Sequence, residues 1–208
     1  MKKSLWVMSG LSLVLAGCAT MYSQADLDKM ARESVEKSFS AKGIASKDRI
    51  KQDSVNLACS QSEMTGTPLS GEVVRKIEQE NFVAIKYPAD GKFMGDWKAG
   101  ERLAQDGRGS TYSDKAGAPN GGNCYNCHQI SKEEISHGTL GPSLYQYGKL
   151  RGNSEAVVKY TWGKLYNAKA FNACTNMPRF GHQGILTEAQ MKDLMALLLD
   201  PASPVNKN

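Results

Sequence analysis

The chain has 208 residues, of which 40% are apolar and 23% charged, a balance that excludes both a disordered chain and an integral membrane bundle. The formal charge is +5, and without Lys2 and Lys3, which lie in a leader, it falls to 24 basic against 21 acidic residues, or +3. With no basic run anywhere, so small an excess gives no argument for nucleic acid, and no nucleic-acid partner is expected.

The start of the chain places Lys2 and Lys3 before an apolar run over residues 5–16. That run is too short to span a bilayer and fits the core of a signal peptide. It ends in Leu15-Ala16-Gly17-Cys18, which resembles the cleavage box of bacterial lipoproteins. The resemblance implies that residues 1–17 are removed and that Cys18 carries lipid. Each buried CH2 of an acyl chain contributes roughly 0.8 kcal/mol, so several chains hold a protein firmly to a membrane. The plainer alternative is an ordinary signal peptide with a chance cysteine. Either way the chain is exported, with the periplasm as the expected compartment, where disulfides persist.

Past the leader the elements are helical. Ser23-Gln24-Ala25-Asp26 has the pattern of a capping box, and Leu27, Met30, Ala31, Val35 and Phe39 follow at helical spacing. Gly43 is the expected stop. A second short helix is expected over residues 48–59, and Ser70 is a good N-cap for a third, with Val73, Val74 and Ile77 on one face. Residues 82–93 read as extended chain around Pro88. Residues 18–94 thus form a helical N-terminal extension. A second region, residues 95–200, begins with a helix over 96–105 in which Gly100 permits close approach of another helix. A loop rich in Gly, Ser, Asp and Pro fills 106–123. A helix over 154–166 follows, and a last one runs from Thr187 to Asp200, where Pro201 stops it. Met191, Leu194, Met195 and Leu198 give this last helix an apolar stripe. Residues 201–208 are a tail. No β-sheet is expected, so the fold class is all-α.

Five cysteines carry the chemistry: Cys18, Cys59, Cys124, Cys127 and Cys174. Cys124-Tyr125-Asn126-Cys127-His128 is C-x-x-C-H, the attachment signature of a c-type haem. Two thiols at that spacing add to the two vinyl groups of one porphyrin, and the next residue turns its imidazole to the iron. The competing readings are a redox dithiol and half of a zinc site. A dithiol needs a strand and a βαβ context, whereas a Gly- and Asn-rich loop precedes Cys124. Zinc needs two more paired ligands, and His137 and His182 are too scattered. One covalent haem c is therefore the expected cofactor. Cys59 and Cys174 remain, and in an oxidising compartment they are expected to pair; the alternative is that one of them is a reactive thiol.

An electron-transfer haem needs a sixth ligand. Of nine methionines, Met191 and Met195 belong to the apolar stripe, Met1 and Met8 to the leader, and Met64 and Met94 have no distinguishing context. Met177 stands in Asn176-Met177-Pro178-Arg179-Phe180-Gly181, where Pro178 and Gly181 forbid regular helix and let a loop present the sulfur. It is the candidate ligand, with His182 and His137 as alternatives. The axial His128 also needs its other ring nitrogen tied to an acceptor. The carbonyl of Pro142, in Leu140-Gly141-Pro142-Ser143-Leu144, is the candidate; otherwise Pro142 is an ordinary turn residue. Arg179 is a candidate docking charge beside the haem edge.

These pieces in this order resemble the class I cytochrome c fold over residues 95–200. The mature chain is more specifically similar to the SoxX family, the monohaem subunits of the SoxAX cytochromes of thiosulfate oxidation. The stretches that carry this are 87–92, 95–101, 122–128, 141–144, Ala173-Cys174 and 176–181. The resemblance implies a SoxA-like dihaem or monohaem cytochrome as stable partner, the carrier SoxY as transient partner, and a downstream electron acceptor. It places the joining of thiosulfate to a SoxY cysteine on SoxA, and it gives this chain a His/Met haem c that takes or relays the electrons. No catalytic residue is expected here. The lipobox departs from the family, many of whose members are plain soluble periplasmic chains, so the membrane anchor rests on Cys18. Two other functions compete. One is a free-standing lipid-anchored shuttle between respiratory complexes. The other is a catalytic thiol subunit using Cys59 or Cys174.

Overall fold

The computed structural model describes residues 22–207. Cys18 and residues 1–17 lie outside them. The described residues are helical; the sole β-type pairing among them is an isolated bridge between Lys42 and Ala45. None of their helices is long and apolar enough to cross a membrane.

The chain divides into two compact units, Met1–Ser40 and Ala41–Asn208. The first contains α1 (Gln24–Ser38). Its Ser23 cap accepts from the Asp26 backbone N–H while the Asp26 carboxylate accepts from that of Ser23, satisfying two donors that a helix start leaves open. The helix ends at Phe39, four residues before Gly43, and buries no side chain.

The second unit takes in residues 41–94 together with the region that follows. α2 (Ser54–Thr65) lies later than the expected 48–59. Its cap is Asp53, which accepts from the Asn56 N–H at 2.8 Å, and Gly66 closes it in the left-handed conformation. Residues Lys47–Ile50 form a separate 3-10 turn. α3 (Gly71–Val83) runs into the stretch expected to be extended. Its buried Asn81 accepts from Asn167 Nδ2 at 2.9 Å, and Trp162 Nε1 donates to the Lys86 carbonyl at 2.8 Å. The Asn81–Asn167 pair is buried, so either amide alone would lose its partner away from water, and the Trp162 bond ties the chain that follows α3 to the helix over Glu155–Tyr166.

The core is a crossing of α4 (Trp97–Gln105) with α7 (Glu188–Leu199). A Cβ on Gly100 would stand 2.2 Å from the Asp193 carbonyl oxygen, so only glycine allows this approach. The Gly95 N–H donates to the Lys192 carbonyl at 2.9 Å and the Asp96 N–H to Asp193 Oδ1 at 2.8 Å, stitching the start of α4 to α7. α7 buries Met191, Leu194, Met195 and Leu198, and also Leu197 and Leu199. Each such side chain contributes roughly 1.5–3 kcal/mol. α5 (Tyr147–Arg151) and α6 (Glu155–Tyr166) complete the unit. The tail is not loose. Val205 and Ser203 are fully buried, Ser203 Oγ donates to the Leu197 carbonyl, and the Val205 carbonyl accepts from the Gln146 N–H at 2.9 Å.

Candidate haem site

The C-x-x-C-H segment is folded by its own backbone. Asn123 takes a left-handed conformation, φ 49°, and opens a 3-10 turn over Cys124–Asn126. The N–H groups of Cys127 and His128 both donate to the Cys124 carbonyl, at 3.1 and 2.9 Å. Cys124 and Cys127 are half-buried free thiols on one turn. Burial, then the neighbouring Cys127, pushes the Cys124 thiol up to about 12. No group of three or more His, Cys, Asp or Glu side chains placed to hold a metal ion occurs among the described residues.

Tyr125 anchors the turn. It is buried, and its hydroxyl lies 2.8 Å from Glu101 Oε1 on α4 and 3.0 Å from Ser131 Oγ. Burial first, then the Glu101 carboxylate, raises its pKa against the opposing pull of the Ser131 hydrogen bond, so the phenol stays protonated. Sequence reasoning missed this pair, because nothing in the residues between Glu101 and Tyr125 signals the contact.

The loop that follows closes on the turn. Gly138 donates to the Tyr125 carbonyl and Gly141 to the Cys127 carbonyl, both at 2.8 Å. This brings the Pro142 carbonyl 2.7 Å from His128 Nδ1. A carbonyl only accepts, so Nδ1 carries the proton and Nε2 keeps its lone pair for a metal. Gly141 makes the room: a Cβ there would lie 2.1 Å from His128 Cε1.

Met177 is half-buried and packs against the hydrophobic core from the loop between α6 and α7. Its N–H donates to Thr175 Oγ1 at 3.2 Å. Three residues earlier, Cys174 is bonded to Cys59 of α2, with an S–S distance of 2.08 Å. Two residues later, the Arg179 guanidinium pairs with the Asp53 carboxylate that caps α2. α2 therefore straps the Met177 loop on both sides. Arg179 is only 13% exposed in its side chain and engaged with Asp53, which corrects its reading as a docking charge. His182 is exposed, and His137 Nδ1 sits 3.3 Å from the neighbouring Gly138 carbonyl; neither shares the support given to Met177.

These residues fit a covalently held haem. Two unpaired thiols lie on one turn beside an imidazole whose second nitrogen is already committed, with glycine cradling the ring. Cys124 and Cys127 would form the thioethers, and His128 and Met177 would supply the axial atoms.

Comparison with known proteins agrees with this geometry. The family model described as Cytochrome c matches residues 91–200. A protein of Aquifex aeolicus (strain VF5), described as an uncharacterized lipoprotein, is 38% identical over 158 residues, covering 75% of this chain and 73% of that protein. With a thiol pair, an oriented imidazole and a helical frame that match the family, the chain belongs to the cytochrome c family, whose members transfer electrons through covalently bound haem c.

Proposed function

We propose that this chain is a SoxX-like, lipid-anchored cytochrome that passes on the electrons released when a SoxA-like partner joins thiosulfate to a cysteine of SoxY. Supporting this reading is the segment 173–181, Ala-Cys-Thr-Asn-Met-Pro-Arg-Phe-Gly: it matches the SoxX pattern, and in it the disulfide and Met177 belong to one strapped loop. In the joining reaction a sulfur–sulfur bond forms between thiosulfate and the carrier thiol. One proton and two electrons leave, and the electrons reach this chain one at a time.

Haem c supplies a one-electron iron couple when bound. The chain's own residues set its terms. His128, oriented by Pro142, offers a nitrogen; Met177 offers a soft sulfur that favours the reduced metal and so a higher potential. The description of the relative from Aquifex aeolicus as a lipoprotein supports lipid attachment, for which Cys18 is the candidate residue.

The test is reconstitution of the purified haem-loaded chain with SoxA and SoxY. Addition of thiosulfate should reduce this cytochrome only when both partners are present. A haem that stays oxidised in the full mixture, but is reduced rapidly by a respiratory donor alone, would instead favour a free-standing shuttle.

A further inference from the structure

A cavity of about 360 Å³ lies between α2 and the 174–179 loop. None of Cys124, Cys127 or His128 lines it; Asn56 and Ser60 do so from α2, and Lys169, Thr175, Met177 and Arg179 from the facing side. A water occupies about 30 Å³ of liquid, so a small solute with its hydration fits.

Lys169 is the unusual member. Only 4% of it is exposed, yet among the described residues its ammonium makes a single hydrogen bond, to the Ala173 carbonyl at 2.9 Å. An ammonium has three donors, and a buried cation is costly unless paired. The carboxylate that acts on it electrostatically, Asp53, is already held by Arg179. The one carboxylate on the lining, Glu63, forms no ion pair with either cation among the described residues. Burial, and after it Arg179, lowers the pKa of both Lys169 and His182, with Asp53 opposing in each case. The lining thus sets two cations, Lys169 and Arg179, against the single carboxylate of Glu63, and an incoming negative charge would balance them.

We propose that the cavity binds a small inorganic oxoanion, of the class of sulfate, phosphate and thiosulfate, on the Lys169 ammonium and on the Arg179 N–H groups that Asp53 leaves unused. Thr175 and Asn56 offer further donors around it. The site rests on charge, burial and volume, not on the thiosulfate reading. A chain that failed to accept electrons from SoxA would still be expected to bind the anion.

The experiment is calorimetric titration of the haem-loaded full chain with sulfate, phosphate and thiosulfate separately, at an ionic strength held constant with chloride. At least one should bind saturably at a single site. Lys169→Gln should weaken binding at least about tenfold, the loss of one charge-assisted hydrogen bond. Because a buried lysine can matter for folding, Asn56→Asp is the second variant; it adds a carboxylate to the opposite wall, leaves the Lys169–Ala173 hydrogen bond in place, and should weaken binding by a similar factor. Equal affinity for the three anions, or a preference for thiosulfate, supports the site. It is overturned if none binds above the chloride background, or if both variants bind as the parent does.

Discussion

At the level of single residues, the readiness of His128 for a metal comes from two residues that never touch the metal. The Pro142 carbonyl accepts a hydrogen bond from Nδ1–H, and Gly141 leaves space for the ring. Gly141→Ala places a methyl inside the imidazole and forces the ring or the loop to move. Thermal unfolding of the haem-loaded variant should show a loss of about 1–3 kcal/mol, the usual cost of overpacking; unchanged stability would mean that the loop yields freely. Met177→Ala should abolish the weak near-infrared sulfur–iron band and lower the midpoint potential, and an unaltered band would move the sixth ligand elsewhere. Much of this was legible in the sequence, because a covalent cofactor demands its ligands at fixed spacing. The Tyr125–Glu101 contact was not. A residue between the two cysteines is free to vary as far as the haem is concerned, and its partner lies 24 positions away on another helix.

At the level of elements, α2 matters most, and it lies six residues later than the sequence pattern predicts. Asp48 and Asp53 are both competent caps. The choice falls to Asp53 because its carboxylate serves two donors at once, the Asn56 N–H and the Arg179 guanidinium 126 positions away. Local pattern carries no trace of the second. The strap predicts a coupled pair of substitutions. Cys59→Ser and Cys174→Ser should each lower stability by roughly 2–5 kcal/mol, and the double variant should lose no more than either alone. Additive losses measured by denaturant unfolding would deny the bond a role. α4 and α7 offer the contrast: capping at Thr187, the stop at Pro201 and close packing at Gly100 were all readable, since each is a local rule. Gly100→Ala should separate the two helices and cost about 1–3 kcal/mol, measured by the same unfolding method.

At the level of the whole molecule, residues 41–94 are built into the unit that carries the C-x-x-C-H turn, not appended to it. Ties such as Asn81 to Asn167 and Lys86 to Trp162 span 86 and 76 positions, too far for periodicity to register. The packing of the tail escapes the sequence for a related reason: eight residues with two prolines show no pattern, although Val205 ends fully buried. In the proposed reading the helical frame, the oriented imidazole and the strapped sulfur would all serve covalently bound haem c. The most direct measurement is therefore acid-acetone extraction of the purified chain, produced together with cytochrome c maturation factors. The colour should stay with the polypeptide, and should be lost when Cys124 and Cys127 are both replaced by serine. A parent chain that releases its haem into the acetone, or carries none, would contradict the account.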